Sequence, residues 1–237
     1  MDKNLLRPPV FSAKTAHEAQ QRMARLLILE DRLPKRIKHV AGIDVAYAEN
    51  ISVAATAVLE YKSLELVESQ TASCITPLPY IPTLLAFREI RPSVICIRKL
   101  HMQPDVFLVN GHGYAHPNRC GLASHLGLVL RKPTIGIAKN KLIGKTQKAH
   151  KGAALITHND ETIGVKLWAE TKRAPIYVSV GHMVSLRTAM EIVEQTTRSD
   201  PMPEPLLKAH QTATAEKRKI NIQLQTQKVT SENSCQR

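Results

Sequence analysis

Apolar and polar positions in the first third of the chain repeat with two different periods. Apolar residues spaced three and four positions apart over 12–30 predict an amphipathic helix, and Ser12 is placed to cap it. Runs of β-branched and small apolar residues follow, and they predict strands at 40–47, 52–60 and 63–73. Three neighbouring strands suggest an antiparallel meander.

Predicted helices and strands alternate through the rest of the chain. The pattern predicts helices at 83–100, 119–131, 185–196 and around His210, and strands at 105–110, 133–138, 162–168 and 176–180. Up to residue 138 the order is β-β-β-α-β-α-β, which is the order of a ribonuclease H-like fold. We therefore expect an α/β protein with a mixed central sheet flanked by helices, although other α/β folds share part of this order.

Length and composition favour one domain. A chain of 237 residues with 43% hydrophobic residues can bury one sizeable core, and a second core would be cramped. After Glu216 the sequence becomes basic and polar and loses its apolar periodicity. We expect residues 1–216 to form a single domain and residues 217–237 to form a basic, flexible tail.

The net charge of +13 points to a polyanionic partner. Nucleic acid is the first candidate, because Lys and Arg gain free energy from counterion release on phosphates, whereas a basic surface that only aids solubility is the ordinary alternative. No apolar run reaches the length of a membrane span, and the first residues lack the apolar core of a signal peptide. The four cysteines lack the spacing of zinc sites, and we expect them to be reduced thiols. Together these features predict a cytoplasmic protein with no membrane partner.

Two carboxylates are candidates for metal-assisted chemistry. Asp44 lies inside an apolar strand, where a buried carboxylate needs a positive or hydrogen-bonding partner, and Glu89 lies on a predicted helix. If folding brings them together, their oxygens suit Mg²⁺, which typically takes one or two carboxylates plus waters and substrate phosphate. The ordinary alternatives are an aspartate that caps a turn and a glutamate on a solvated helix face.

The segment 110–117, with the sequence NGHGYAHP, is the densest chemical signal. Glycines that flank a histidine after a strand let backbone N–H groups approach a ligand, although a tight turn with exposed histidines has the same composition. Lys139, at a predicted strand end, could hold a phosphate or simply be exposed. His210 could act as a general acid or base if it lies near the metal, or could be a helix-surface residue.

Several short motifs together resemble those of the endonuclease V family. They are GID at 42–44, PYIP at 79–82, FRE at 87–89, GHG at 111–113, AHP at 115–117, GLASHLG at 121–127 and GIAK at 136–139. The resemblance runs from about Asp44 to His210, includes YVS at 177–179, GH at 181–182 and KAH at 208–210, and so covers most of the chain.

This resemblance implies a ribonuclease H-like nuclease that uses Mg²⁺, or Mn²⁺ as a substitute. Such a nuclease hydrolyses the second phosphodiester bond on the 3′ side of inosine in DNA or RNA, leaving a 3′-hydroxyl and a 5′-phosphate. The resemblance assigns Asp44, Glu89 and position 110 to the metal, and these three with His210 to catalysis. It assigns a strand-separating wedge to Pro79, Tyr80, Ile81 and Pro82. It assigns the pocket for the flipped-out base, where backbone amides would read hypoxanthine, to Tyr80, Leu85, Gly111, Gly113, His116, Ala138 and Lys139.

Four positions depart from the family's pattern. Thr83 stands where the wedge is usually followed by glycine, and Asn118 and Cys120 stand where an arginine and a larger residue are frequent. Asn110 replaces the aspartate that usually completes the metal site, and an amide keeps an oxygen ligand but loses a full negative charge. Asp105 is a poor replacement for the missing aspartate, because its odd separation from Asn110 along the predicted strand places it on the opposite face.

Three explanations of Asn110 follow from the sequence. They are an engineered change that stops turnover, a natural variant that cuts slowly, and a homologue that binds inosine strands without cutting them. Cleavage of an inosine strand distinguishes a nuclease from an inosine-binding protein, whereas a basic structural protein of the nucleoid or ribosome would bind without preference for inosine.

Overall fold

The computed structural model of the protein describes residues 11–150, 152–168 and 174–235, and the surroundings of side chains up to residue 227. Its described strands are β1 His39–Ala48, β2 Ile51–Glu60, β3 Leu66–Ile75, β4 Val106–Asn110, β5 Thr134–Ala138, β6 Lys145–Thr146, β7 Ala153–His158, β8 Glu161–Leu167 and β9 Ile176–His182. They form one sheet with the order β3-β2-β1-β4-β5-β9-β8-β7-β6. Because β1, β4 and β5 are parallel and the other neighbours are antiparallel, the sheet is mixed, as predicted.

Helices cover both faces of this sheet. The described helices are α1 Ala13–Ala24, α2 Leu85–Ile97, α3 Leu122–Leu130, α4 Leu186–Thr196 and α5 Glu204–Cys235. One face buries side chains such as Leu108 and Ile135 against α4 and α5, and the other buries Ile43 and Val109 against α2 and α3. This alternation along β1 and β4 follows from the two-residue repeat of a strand.

The predicted order of elements is confirmed through residue 138. The antiparallel meander β1-β2-β3 is present, and Ser12 caps α1 by accepting a hydrogen bond from the backbone N–H of Thr15. The third strand begins later than predicted, at Leu66, because a turn that includes Leu64 in a left-handed conformation precedes it. Strands β6 and β7 were not predicted, since the two-residue β6 is too short for a pattern to detect.

The last helix differs from the prediction in length. Regular structure was expected to end near Glu216, but α5 continues to Cys235 within the described residues, and residues 236–237 lie outside them. Ile222 on this extension is 64% exposed, which agrees with the lack of an apolar stripe for the helix to bury.

Two further expectations concern membranes and thiols. No helix in the described ranges combines the length and the apolar character that crossing a bilayer requires. Cys74, Cys96 and Cys120 are unpaired thiols, and the side chain of Cys235 and the first ten residues lie outside the described part of the chain.

Candidate active site

Gly42 on β1 lets the start of α5 lie directly against the sheet. A Cβ atom added at Gly42 would lie 2.0 Å from the carbonyl oxygen of Pro205, so no larger residue fits without movement of the helix. This close approach brings His210, little more than one turn further along α5, to Asp44 on β1.

Asp44 is the centre of the site. It is 6% exposed, and both of its carboxylate oxygens are engaged. The Asn110 amide nitrogen Nδ2 donates to Asp44 Oδ1 at 2.7 Å, and His210 Nδ1 lies 2.7 Å from Asp44 Oδ2. The parallel pairing of Ile43 with Val109 explains the first contact, because the next residue on each strand then points to the same face of the sheet.

Glu89 supplies a second buried carboxylate from α2. It is 6% exposed, and the hydroxyl of Tyr47 donates to its Oε1 at 2.6 Å. Burial, together with the negative charge of Asp44, raises the pKa of Glu89 to about 8, against the opposing effects of the Tyr47 hydrogen bond and the Arg88 charge. A carboxyl group in these surroundings is ionised at neutral pH only when a cation or another partner stabilises its charge.

The donor atoms at this site fit a hard divalent cation. Asp44 and Glu89 offer carboxylate oxygens, and Asn110 offers an amide oxygen once its amide group turns over, since Nδ2 now faces Asp44. Among the described residues, no three His, Cys, Asp or Glu side chains lie together as ready metal ligands. The structure brings Asn110 into contact with Asp44, and its role as a third metal ligand stays a prediction.

Tyr47 and Arg88 belong to the site but were not predicted to act there. The Arg88 guanidinium lies 4.2 Å from the centre of the Tyr47 ring, and its NH1 group donates to the carbonyl oxygen of Leu78 at 2.7 Å. Arg88 therefore packs inside the protein beside Glu89, and the alternative of a solvated helix face does not hold for this part of α2. Tyr47 carries no motif, and the only signal for it is its position on the strand of Asp44.

The predicted wedge is an exposed loop beside a pocket. Tyr80 lies between β3 and α2 and is 67% exposed. The pocket is lined by Tyr80, Thr83, Leu85, Ala86, His112, His116, Gly121, Leu122 and Leu142. Of the residues assigned to base binding from the resemblance, the structure therefore brings together Tyr80, Leu85 and His116. Gly111, Gly113, Ala138 and Lys139 are not among the lining residues of this pocket.

The backbone amides of the two loop glycines are already occupied. The amide of Gly111 donates to the carbonyl oxygen of Ile137, and that of Gly113 donates to Ser179 Oγ, both at 2.9 Å. In this structure neighbouring strands therefore engage both amides, and their reading of the base stays a prediction. Gly113 is also required for packing, since an added Cβ would lie 2.1 Å from the carbonyl oxygen of Val180.

His116 is held neutral between two backbone groups. Its Nδ1 accepts from the backbone N–H of Asn118 at 3.1 Å, so Nε2 carries the proton and donates to the carbonyl oxygen of Thr83 at 2.9 Å. Burial lowers the pKa of His116 to about 4, against the Thr83 hydrogen bond. In this arrangement the imidazole carries no charge that could hold a phosphate at neutral pH.

A mixed sheet of this order, with carboxylates at its centre and a histidine against them, defines the class of ribonuclease H-like nucleases. Residues 21–211 match the Endonuclease V family, which is more than half of the chain. The protein therefore belongs to the endonuclease V family.

Individual relatives agree with this assignment. The chain is 41% identical over 209 residues to Endonuclease V of Thermofilum pendens, covering 88% of this chain and 90% of the relative. The structure of Endonuclease V from Streptomyces avermitilis is similar, with a TM-score of 0.83, 32% identity and coverage of 89% and 95%. Endonuclease V from Ciona intestinalis, in complex with a 23mer DNA containing an inosine followed by a ribo-adenosine, has a TM-score of 0.78, 29% identity and coverage of 89% and 100%. The predicted family and fold are thus confirmed.

Proposed function

We propose that the protein is an inosine-directed endonuclease that requires a divalent cation. It cuts the second phosphodiester bond on the 3′ side of inosine, leaves a 3′-hydroxyl and a 5′-phosphate, and acts in repair of DNA or processing of inosine-containing RNA. The observation that carries this proposal is the contact of Asp44 with both Asn110 and His210, with Glu89 buried nearby. The binding of inosine-containing DNA by the relative from Ciona intestinalis supports the choice of substrate.

Asp44, Glu89 and Asn110 would hold Mg²⁺, or Mn²⁺ in its place. When bound, this cation supplies positive charge for the phosphate oxygens and lowers the pKa of a bound water. The raised pKa of Glu89 means that the carboxyl must release a proton before it can act as a ligand. Asp44, on β1, contacts both Asn110 and His210 and so fixes their side chains beside the proposed cation.

His210 is suited to move a proton at the scissile phosphate. Its Nδ1 is engaged by Asp44, and its side chain is 57% exposed, so Nε2 remains available to water or substrate. In the neutral tautomer with the proton on Nδ1, Nε2 accepts a proton. We assign His210 to orient or deprotonate the attacking water, with Asp44 fixing the tautomer.

Tyr80 and the pocket beside it would separate the inosine from its neighbours. An exposed tyrosine ring can replace the stacking partner that a base loses when it leaves the helix. Leu85, Ala86 and Leu122 give the adjoining pocket apolar walls for a flat base. Few aromatic residues are needed for this task, which suits a chain with 4% aromatic residues.

A second candidate function is recognition of inosine without cleavage. The hydrogen bond from Asn110 to Asp44 favours it, because this contact satisfies a carboxylate that would otherwise attract a cation. The metal site also has one negative charge fewer than a site with three carboxylates.

Cleavage of matched strands distinguishes these functions. Labelled DNA and RNA strands that differ only in one inosine or adenosine are incubated with the protein across a Mg²⁺ titration, with Mn²⁺ and chelator in parallel, and Asp44→Asn is the control. Cutting of inosine strands at one bond, abolished by chelator, supports the endonuclease. Preferential binding without cutting at any metal concentration supports the second candidate, and binding without preference for inosine contradicts both.

A further inference from the structure

The loop that carries the wedge, Pro79 to Pro82, is fixed at both of its ends by side chains from elsewhere in the chain. Before the wedge, the carbonyl oxygen of Leu78 accepts a hydrogen bond from Arg88. After the wedge, the carbonyl oxygen of Thr83 accepts one from Gln20 Nε2 at 2.8 Å. Gln20 lies on α1, to which the sequence assigned no functional residue, and it is 0% exposed.

Gln20 is part of a closed ring of hydrogen bonds around Thr83. The side chain of Asn118 donates to Gln20 Oε1 at 3.0 Å, and its backbone N–H donates to His116 Nδ1. Nε2 of His116 donates to the Thr83 carbonyl oxygen, which also accepts the hydrogen bond from Gln20. One backbone oxygen is thus held by two buried donors, and a third residue connects those two donors.

This ring holds a backbone conformation that is unfavourable on its own. Thr83 has a φ of 69°, in the left-handed region that β-branched residues avoid. Because Thr83 ends the wedge loop, fixing its carbonyl oxygen restricts the directions in which Tyr80 can point. An aromatic side chain that is already oriented loses less conformational entropy when it stacks on a base.

We propose that Gln20 is a positioning residue for the wedge, through which α1 sets the orientation of Tyr80 for inosine recognition. The inference rests on the proposed function of the wedge. It extends the recognition machinery to a helix far from the carboxylate centre in sequence. Gln20 acts only through Thr83, and its loss affects preference for inosine rather than general affinity for nucleic acid.

The test uses Gln20→Met, which keeps the side-chain length and removes both hydrogen-bonding groups. The matched control is Glu18→Ala, since Glu18 lies on the same helix and is exposed. Binding to otherwise identical inosine and adenosine strands is measured without divalent metal. We expect the inosine preference to fall about tenfold in Gln20→Met, the scale of one lost buried hydrogen bond, and adenosine binding to stay within about twofold.

Combination with Tyr80→Ala separates positioning from a general structural role. If Gln20 acts through the wedge, Gln20→Met lowers the preference no further in a Tyr80→Ala background, whereas independent effects would add. If Gln20→Met does not fold, Asn118→Ala, at a partly exposed position of the same ring, is measured in its place in the same two backgrounds.

The outcomes separate this inference from the proposed function. A wild-type protein without inosine preference overturns both. A wild-type preference that Gln20→Met retains in full, or an effect that adds to Tyr80→Ala, overturns the positioning role and leaves the proposed function intact.

Discussion

Asn110 donates its side-chain amide to Asp44 across two adjacent parallel strands, with 2.7 Å between Nδ2 and Oδ1. An aspartate at position 110 would place a second carboxylate against Asp44, and Glu89 adds a third nearby. Without a cation the charges of Asp44 and the new aspartate repel, whereas the amide of Asn110 turns this contact into a hydrogen bond. We therefore expect Asn110 to favour the metal-free fold at the expense of affinity for the proposed cation.

Asn110→Asp should consequently have opposite effects with and without metal. Without divalent cations we expect the free energy of unfolding to fall by about 1–3 kcal/mol, because a hydrogen bond is replaced by charge repulsion. With Mg²⁺ we expect stronger stabilisation than in the wild type and faster cleavage of an inosine strand by orders of magnitude. Thermal unfolding and cleavage across one Mg²⁺ titration provide both measurements. Equal rates and equal metal effects in the two proteins would show that position 110 is not a ligand.

Glu89 should make metal-free stability depend on pH. Its pKa is raised from the ordinary value of 4.5 to about 8 in the folded protein. Between these values the unfolded chain has released the proton while the folded protein keeps it, so stability falls as the pH rises and levels off above about 8. The slope contributed by one group is at most about 1.4 kcal/mol per pH unit.

Glu89→Gln isolates this contribution, because glutamine does not titrate. The difference in unfolding free energy between the wild type and Glu89→Gln should therefore shift in favour of the variant from pH 4.5 to 8. Denaturant titrations in chelator at several pH values measure it, and a difference that stays constant across this window would contradict the burial effect on Glu89. Mg²⁺ affinity should rise over the same range, since the cation competes with the proton.

Tyr47→Phe should weaken the metal site without removing a ligand. The Tyr47 hydroxyl donates to Glu89 and favours its charged form, so the variant raises the pKa of Glu89 further. We expect the Mg²⁺ concentration for half-maximal cleavage to rise several-fold at neutral pH, and the deficit to shrink as the pH increases. Tyr61→Phe, which removes a hydroxyl away from the site, is the matched control. A deficit independent of pH would exclude action through Glu89.

Part of the fold and of the candidate site could be predicted from the sequence. The resemblance grouped Asp44 with Asn110, and the parallel register of β1 and β4 places both on one face. Alternation along the strand argued against Asp105. That residue instead accepts hydrogen bonds from the backbone N–H groups of Lys38 and His39. Contacts between side chains and backbone groups distant in sequence could not be predicted, because they depend on tertiary distances. Gln20 with Thr83 is the clearest example.

His210→Ala should lower the rate of the cutting step and leave binding largely intact. The side chain touches Asp44 and is otherwise accessible, so its loss removes a proton acceptor without opening the core. We expect the single-turnover rate at saturating Mg²⁺ to fall about 100-fold or more, within the usual range for general acid–base catalysis, with inosine affinity within a few fold. Gln211→Ala, one position further and exposed, is the control. Loss of affinity with an unchanged rate for bound substrate would assign His210 to binding instead.

Thr83→Gly should change the stability of the protein and its preference for inosine in opposite directions. Glycine adopts a φ of 69° without the steric cost that threonine bears, which is about 1–2 kcal/mol. Glycine also has more conformational entropy to lose on folding, about 0.4–1 kcal/mol, so the net gain in stability should lie between about 0 and about 1.6 kcal/mol. The conformational freedom of glycine also lets the end of the wedge loop move, so we expect inosine preference to fall although the fold is at least as stable as before.

Thr83→Ala is the control that removes the same side chain but keeps the restriction at φ, and its stability should lie below that of Thr83→Gly. Denaturant unfolding and paired binding to inosine and adenosine strands measure both effects, and a glycine variant with undiminished preference would show that the conformation of Thr83 does not govern the wedge.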